Sequence, residues 1–395
     1  MRVPVTRQVR IPDQVKLERY RRTPELGPRI LFFSGGSALR ALSREIIHYT
    51  VNTLHIITPF DSGGSSAVIR KAFAMPAVGD IRNRLMSLAD QSVTGNPEIF
   101  DLFALRLPKD ASQKELLQEL TRMAREKHPM LRRIPDPMRK IIRTYFIQFL
   151  EFMPKDFDLR GASLGNLVLT AGYLSNRRLM DPVIYLFSKL VQVLGTVRPV
   201  VNKNLHLAAQ TADGKVIVGQ HLMTGKEIGP ITSRIERIWL TGSLEDAKPV
   251  QVEIRKKIKD LIAGAELICY PMGSFYSSLL ANFLPQGVGR AVADNACPKV
   301  FVPNTSHDPE LYGLSVDAQV DRLIHYLSEG GRRVSAKRLL NFILVDTKNG
   351  LYPTGLDLAA VRSRKVGVID CALVSDQSAP YIDEKLLVPV LLSLT

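Results

Sequence analysis

Short apolar runs that end in small or polar residues, and that precede amphipathic helix patterns, recur along the chain. The apolar runs are 30–33, 54–58, 267–270, 300–302, 342–345 and 366–369. Buried strands that alternate with helices are typical of a parallel sheet covered by helices on both faces. The sequence therefore predicts an α/β fold, in which ligands bind at the carboxyl ends of the strands.

Three regions do not follow this alternation. Residues 1–28 contain prolines and arginines without a sustained period, which favours a basic arm or an extended edge. Residues 91–160 show helix patterns broken by prolines, which predicts a helical insertion or a cap over the sheet. Residues 200–250 show short strand patterns separated by turns. We expect one α/β domain over residues 29–395 that contains the insertion.

The charge of the chain favours anionic partners. Its 53 basic and 38 acidic residues give a formal net charge of +15 in 395 residues. This excess does not choose between nucleotides, nucleic acids and lipid surfaces. The basic segments, however, lack the interleaved aromatic residues of a nucleic-acid stacking surface. No apolar run approaches the roughly 18 residues of a membrane span.

The cysteines and the N-terminus bear on the compartment. Cys269, Cys297 and Cys371 are widely spaced and show neither a disulfide framework nor a zinc pattern. The first residues lack the apolar segment of a secretory leader. We therefore predict a cytoplasmic protein with buried free thiols.

The residues after the second apolar run predict a phosphate site. They are Asp61, Ser62, Gly63, Gly64, Ser65 and Ser66, and a helix pattern begins directly after them. Backbone N–H groups and hydroxyls at the amino end of a helix hold phosphate well. A second stretch adds a carboxylate, a guanidinium and an amide, namely Gly79, Asp80, Arg82 and Asn83. Together the two stretches supply the groups that a nucleotide-diphosphate site needs.

Each of these residues also has a purely structural interpretation. Asp61 is suited to coordinate a divalent metal, to accept a hydrogen bond from a substrate hydroxyl, or only to cap the following helix. The glycine pair 63–64 is equally suited to a tight turn. Asp80 and Arg82 are suited to a buried ion pair. The residue types alone leave these alternatives open.

Polar turns also follow three other apolar runs. They contain Gly35 and Gly36, Gly273 and Ser274, and Asn304. Because the carboxyl ends of parallel strands meet at one edge of a sheet, we expect these turns to share one site. The Gly35-Gly36 turn lacks the third glycine and the following acidic residue of a dinucleotide site. Asn304 alone fits loop capping as well as ligand binding.

Four motifs in the same order resemble one superfamily, that of 2-phospho-L-lactate transferase (CofD) and the gluconeogenesis factor (YvcK). Residues 61–70 are similar to the Asp-Asp-Gly-Gly-Ser-Ser-Gly-Arg-Leu-Arg sequence of the factor branch. Residues 75–83, 163–167 and 273–278 are similar to its Pro-Pro-Gly-Asp-Ile-Arg-Asn, Gly-Asn and Gly-Ser-Leu-Tyr-Thr-Ser motifs. The resemblance covers residues 29–395.

This resemblance implies a three-layer α/β/α, Rossmann-like, doubly wound parallel sheet and a homodimer. The transferase branch uses a divalent metal to move 2-phospho-L-lactate from a guanosine diphospho-conjugate to a deazaflavin hydroxyl, whereas the factor branch binds UDP-sugars. Asp61 is the implied catalytic residue and the implied ligand of Mg²⁺. By position, a nucleotide pocket is implied at Gly35, Gly36, Asp61, Ser62, Gly63, Gly64, Ser65, Gly79, Asp80, Arg82, Asn83, Asn166, Gly273, Ser274 and Asn304.

Three departures set the chain apart within this superfamily. Residues 35–38 are shorter than the Gly-Gly-Gly-Thr-Gly motif, Ser62 stands where a second aspartate belongs, and the 91–160 segment is longer than usual. We therefore expect a divergent CofD-like protein that binds a GDP- or UDP-linked diphospho-conjugate and transfers its phosphorylated group to a hydroxyl. The alternative is a non-catalytic, UDP-sugar-binding regulator of the gluconeogenesis-factor type. We expect neither a nucleic-acid nor a membrane partner.

Overall fold

Seven parallel strands form the central sheet. The computed structural model of the protein describes residues 8–36, 38–92, 94–225, 229, 231–328 and 334–395. The strands in these residues are β1 (Ile30–Ser34), β2 (Leu54–Ile57), β3 (Thr196–Pro199), β4 (His206–Thr211), β5 (Val216–Val218), β6 (Ile235–Thr241), β7 (Leu267–Tyr270), β8 (Lys299–Phe301), β9 (Phe342–Val345) and β10 (Gly367–Asp370). The sheet has the order β10-β9-β8-β7-β1-β2-β3, and each neighbouring pair is parallel. The predicted α/β fold is confirmed.

The strand order reverses between β1 and β7. From β1 the chain continues through β2 to β3 at one edge, and from β7 it continues through β8 and β9 to β10 at the other edge. In open α/β sheets, such a switch point leaves a crevice at the carboxyl ends of the central strands. The residues that directly follow β1 and β7 therefore border the usual ligand position of this fold.

β1 is apolar up to its last residue, Ser34, because both faces of the sheet are covered. All residues of Ile30–Ser34 are buried. Adjacent side chains alternate between the faces, so that Phe32 and Phe33 belong to two different core clusters. The ring of Phe33 packs against Tyr270 and Phe283, with centroids 6.1 and 5.1 Å away. These aromatic contacts hold β1 and β7 together beneath the switch point.

Helices cover both faces of the sheet. They are α1 (Gln14–Arg22), α2 (Arg40–Ile46), α3 (Gly64–Phe73), α4 (Gly79–Ser87), α5 (Pro97–Ala104), α6 (Gln113–Ala124), α7 (Pro129–Arg133), α8 (Met138–Phe152), α9 (Leu164–Ser175), α10 (Met180–Leu190), α11 (Lys256–Ala263), α12 (Val288–Asp294), α13 (Val316–Ser328), α14 (Leu358–Ser363) and α15 (Glu384–Ser393). A π-helical turn (Phe275–Leu279) and a 3₁₀ turn (Leu280–Phe283) follow β7. Within the described residues, no helix combines the length and apolar character needed to cross a membrane.

The regions that broke the strand–helix alternation have their own structures. Helices α5 to α8 lie in the 91–160 segment that the sequence predicts as helical, and they pack with α9 and α10 around one apolar core. A separate antiparallel sheet, with the order β5-β4-β6, forms within residues 200–250. Both regions therefore contain the type of secondary structure that their sequence patterns indicate.

The interpretation of residues 1–28 as an arm or extended edge is wrong for residues 14–22, which form α1. Asp13 caps this helix by accepting a hydrogen bond from the backbone N–H of Lys16 at 3.1 Å. The backbone N–H of Asp13 donates to Ser393 Oγ at 2.8 Å, which fixes α1 beside α15. Leu17 is the one buried residue of α1, so the helix lacks an apolar period that would predict it. Residues 1–7 lie outside the described segments.

We expect Phe33→Ala to lower the free energy of unfolding by about 3–5 kcal/mol, because it removes a fully buried ring between β1 and β7. Phe152→Ala is the matched control, since its side chain is 42% exposed, and we expect it to cost about 1 kcal/mol or less. Urea denaturation of both variants measures the difference. Equal losses would contradict this description of the core.

Candidate functional site

A cleft of about 1060 Å³ opens where the strand order reverses, at the carboxyl ends of β1 and β7. Small-molecule sites usually measure about 300–1,000 Å³, so the cleft is large enough for a nucleotide conjugate. Ten residues predicted from the sequence line it together, namely Gly35, Gly36, Asp61, Gly63, Gly64, Asp80, Asn83, Gly273, Ser274 and Asn304. Turns from distant parts of the chain thus meet at one place, as the parallel sheet requires.

Five other predicted residues lie behind the cleft wall. They are Ser62, Ser65, Gly79, Arg82 and Asn166, which do not line the cleft. Asn166 is buried, and its Nδ2 donates to Ser65 Oγ at 3.3 Å. Gly79 packs closely against the hydroxyl of Ser66. These contacts join α3 to α9 and to α4 beside the cleft.

The amino end of α3 faces the cleft through two glycines. Gly63 occupies the capping position, and its N–H donates to Asp61 Oδ1 at 3.1 Å. Gly64 is exposed in the cleft with a φ of +47°, a conformation that glycine adopts easily. Because the first-turn N–H groups of a helix have no intrahelical acceptors, this end of α3 favours an anion.

Arg84 of α4 supports the turn that follows β1. Its buried guanidinium donates to the carbonyl oxygens of Leu39 at 2.9 Å, Gly35 at 3.4 Å and Gly36 at 3.5 Å. Burial lowers the pKa of Arg84 to about 10, and the Asp80 carboxylate opposes this shift. The glycine turn at the cleft is therefore held from beneath by a buried cation.

Arg70 of α3 supports the loop after β2 in the same way. It donates to the carbonyl oxygens of Phe60 at 3.1 Å, Asp61 at 3.0 Å and Leu205 at 2.6 Å. Burial lowers its pKa to about 10, and the charge of Asp61 acts in the opposite direction. The backbone of Asp61 is thus fixed to the start of β4, and its carboxylate is presented from a rigid loop.

Three arginines, Arg40, Arg82 and Arg106, lie close enough beside the cleft to influence each other. Burial lowers the pKa of Arg82 to about 10, and the positive charges of Arg106 and Arg40 lower it further. Asp80 opposes these shifts more weakly. Arg82 donates to Asn83 Oδ1 at 2.6 Å, and so it positions a residue of the cleft wall. Positive charge therefore lies beside the cleft, whose lining in the described residues carries acidic side chains and no lysine or arginine.

The helical turn after β7 is capped from inside the protein. Asp308 Oδ2 accepts a hydrogen bond from the backbone N–H of Phe275 at 3.0 Å, and Glu310 Oε2 accepts from those of Tyr276 and Ser277, both at 2.8 Å. Burial raises the pKa of Glu310, and the charge of Asp308 raises it further. The first N–H groups of this turn are therefore bound within the protein instead of serving a phosphate.

Asn304 clamps the same turn. Its Oδ1 accepts from the N–H of Gly273 and its Nδ2 donates to the carbonyl of Gly273, both at 2.8 Å. Nδ2 also lies 3.3 Å from Asp308 Oδ2. Asn304 borders the cleft, but its amide is already engaged by backbone. Its contacts favour the loop-capping interpretation.

The capacity of the cleft for a metal ion depends on Asp61. Ser62, which replaces the second aspartate of the family motif, is buried, and its Oγ lies 2.7 Å from Nδ1 of His221. In the segments that the structure describes, no group of three or more His, Cys, Asp or Glu side chains could hold a metal. Mg²⁺ would thus have Asp61 as its protein ligand, completed by phosphate oxygens and water, which this ion accepts.

The fold and the cleft define an α/β protein with a candidate ligand site at the switch point of a parallel sheet. Residues 30–383 match the family described as 2-phospho-L-lactate transferase CofD. The chain therefore belongs to the CofD family, and the resemblance seen in its four sequence motifs is confirmed.

Curated relatives of this chain carry the name gluconeogenesis factor. The one from Bacillus subtilis (strain 168) is 30% identical over 282 residues, which cover 71% of this chain and 69% of the relative. The one from Listeria monocytogenes is 25% identical over 345 residues, which cover 87% and 86%. A crystal structure of a UPF0052 family member from Bacillus halodurans has a TM-score of 0.69 at 22% identity and covers 92% of this chain and 99% of that chain. This structural likeness shows the fold.

The sequence did not indicate several of the residues that line the cleft. Gln220 and His221 line it from a region interpreted only as short strands, and Tyr381 lines it from a loop near α15. An isolated polar or aromatic residue in a loop has no spacing pattern, so the fold alone places it. Asp308 before Pro309 did offer a local signal, that of a residue that caps the following turn.

We expect Glu310→Ala to lower the free energy of unfolding by about 2–4 kcal/mol, because it leaves two buried N–H groups without acceptors. Glu310→Gln is the control, since its amide oxygen still accepts from Tyr276 and Ser277, and we expect it to cost less than about 1 kcal/mol. Chemical denaturation compares the two. If alanine were tolerated as well as glutamine, the carboxylate cap would not stabilise the turn.

Proposed function

We propose that the cleft binds a nucleotide diphospho-conjugate, linked to GDP or UDP. The observation that carries the proposal is the position of the amino end of α3, which opens into the cleft at Gly63 and Gly64, close to the turn that follows β1. A diphosphate there would accept hydrogen bonds from first-turn N–H groups and would be favoured by the helix dipole. The volume of about 1060 Å³ leaves room for a base and a second group.

Charge supports the same ligand. Arg40 and Arg106 each repel Arg82, so an anion bound near them would relieve that repulsion as well as form new attractions. Arg106 also contacts Ser65 Oγ, at 3.4 Å from Nη1, and thus lies beside the amino end of α3. A diphosphate is a suitable anion for such a position, because several oxygens share its charge.

An aromatic side chain supports the base of the nucleotide. Tyr381 borders the cleft and is 64% exposed. The loop before it is fixed by Thr305, whose hydroxyl donates to the carbonyl of Pro380 at 2.8 Å. A flat ring on a fixed loop can stack on a purine or a pyrimidine. This arrangement accommodates either base and does not choose between GDP and UDP.

Transfer of the phosphorylated group to a hydroxyl is the first use that we propose for the bound conjugate, since the family description names a transferase. Asp61 would accept the proton of the acceptor hydroxyl or orient that hydroxyl toward the phosphorus. Mg²⁺ held by Asp61 would neutralise the charge of the diphosphate. The fixed backbone of Asp61, and the amide and guanidinium groups around the cleft, would contribute positioning and electrostatic stabilisation.

Regulation without transfer is the second candidate. Ser62 removes an acidic side chain from the motif and is bound to His221, which leaves Asp61 without a carboxylate neighbour in the sequence. The relatives' name, gluconeogenesis factor, is that of a factor and not of an enzyme. In this case the cleft would bind a UDP-sugar and return it unchanged, and a partner protein would respond to the bound state.

Homodimer formation and a cytoplasmic location stay predictions. The three cysteines are free thiols in the structure, which suits a reducing compartment. Light scattering on the purified protein would measure the oligomeric state.

We expect Gly64→Val to weaken the binding of UDP-glucose and GDP-glucose at least about tenfold, because its side chain would fill space at the amino end of α3. Gly214→Val is the control, since Gly214 also has a positive φ, +84°, and open space around it but does not line the cleft. Both variants should lose about 1–2 kcal/mol of stability through backbone strain. Calorimetric titration measures the affinities, and equal affinities for both variants would remove this turn from the site.

We expect Asp61→Asn to separate the two candidate uses of the cleft. A metal-assisted transferase would lose turnover and its response to Mg²⁺ while keeping metal-free nucleotide binding. A regulator would bind equally in Mg²⁺ and in EDTA and would return the conjugate intact. Asp101→Asn, which changes an exposed carboxylate outside the cleft, is the control. Titration with each conjugate, followed by product analysis with hydroxyl acceptors present, decides between them.

A further inference from the structure

A serine–histidine pair lies in the cleft wall beside the amino end of α3. Ser62 Oγ is 2.7 Å from Nδ1 of His221, and it accepts a hydrogen bond from the backbone N–H of the same histidine at 3.3 Å. Ser62 is buried, whereas His221 lines the cleft. The serine therefore holds the histidine by its backbone and by one ring nitrogen, from behind the wall.

The hydrogen bonds fix which ring nitrogen carries the proton. Ser62 Oγ already accepts from the backbone N–H of His221, and its own hydrogen needs an acceptor because the residue is buried. Nδ1 is the acceptor within reach among the described residues. With Nδ1 as the acceptor of this hydrogen bond, the neutral imidazole carries its proton on Nε2, since one nitrogen accepts and the other donates.

The backbone at Gly219 leaves room for the ring of His221 in this position. Gly219 has a φ of +110°, and a Cβ built there would lie 2.8 Å from Cε1 and 2.9 Å from Nδ1 of His221. Any other residue at position 219 would push the ring away from Ser62. The ring is thus confined on two sides, and its remaining edge carries Nε2.

We infer that His221 is a ligand-binding residue whose Nε2–H donates to an oxygen of the diphosphate, and that Ser62 is its positioning residue. The inference rests on the proposed function. The diphosphate is the acceptor because Gly63 and Gly64, which follow Ser62 directly, form the amino end of α3 in the same cleft. Gln220 and Thr224 line the cleft beside His221 and carry no charge that would compete for its proton.

The identity of residue 62 decides whether Nε2 of His221 donates or accepts a hydrogen bond. A hydroxyl donates to Nδ1 and leaves Nε2 as the donor. An aspartate, the residue of the family motif at this position, accepts only, so it would draw the proton to Nδ1 and leave Nε2 as an acceptor that repels phosphate oxygens. The serine of this chain therefore exchanges a carboxylate for a neutral hydrogen-bond donor at the phosphate position.

The first test reads the proton directly. Long-range ¹H–¹⁵N spectra of the full chain, labelled on histidine nitrogens and recorded at pH 8, distinguish the two neutral tautomers. We expect the Nε2–H form for His221 in the unaltered protein, a mixture in Ser62→Ala, and the Nδ1–H form in Ser62→Asp. His221→Ala assigns the signal. His307, an exposed cleft histidine with no hydrogen bond in the described part of the chain, should keep its spectrum in all variants.

The second test asks whether the donor meets phosphate. Addition of UDP, GDP or inorganic pyrophosphate should shift the Nε2 resonance of His221, whereas uridine and guanosine should not. We expect His221→Ala to weaken UDP or GDP binding about tenfold. His221→Gln, whose amide N–H lies near the position of Nε2–H, should recover most of that loss. A purely structural role of His221 would not predict this recovery.

The outcomes separate this inference from the proposed function. A proton on Nδ1 in the unaltered protein, or tight nucleotide binding that leaves the His221 resonances unmoved, would overturn the inference and leave the proposed function standing. If none of the nucleotides, conjugates or pyrophosphate binds, both fail. An Nε2–H tautomer that shifts with pyrophosphate and reverses in Ser62→Asp supports the inference in full.

Discussion

The cleft depends on the hydrogen bonds that the buried guanidinium of Arg84 donates. A cation removed from water needs compensation, and here it comes from the carbonyl oxygens of the loop after β1 and from the nearby charge of Asp80. These contacts fasten α4 to the carboxyl end of the central strand. Since α4 also carries Asp80 and Asn83, one buried side chain sets the position of two neighbouring parts of the wall.

Throughout the cleft, some residues hold the wall together and others are left to face a ligand. Residues such as Arg70, Arg82 and Asn304 form hydrogen bonds with the backbone or with other side chains of the protein. The surface left for a ligand consists of glycine turns, the amino end of α3 and a few isolated side chains. The family motifs therefore contribute both the framework and much of the lining of the cleft, and His221 and Tyr381 line it from outside these motifs.

This division explains what could be predicted from the sequence. Strands buried on both faces leave continuous apolar runs, and the turns after them carry residues of recognisable type, so the sheet and the meeting of its turns were predictable. Helix α1 was not, because Leu17 is its one buried residue. Arg84 was not, because a buried cation that binds carbonyl oxygens leaves no pattern in sequence. The commitment of the 275–277 N–H groups to Asp308 and Glu310 required the fold.

The cleft is lined by residues from opposite parts of the chain, Gly35 near one end and Tyr381 and Glu384 near the other. During synthesis, the sheet that carries the glycine turns can begin to form long before the loop of residues 377–384 is made. The last wall is added only when that loop has left the ribosome. A ligand that binds between these walls would then require residues 377–384 to have folded, so its supply would govern how long the protein persists more than how well it first folds.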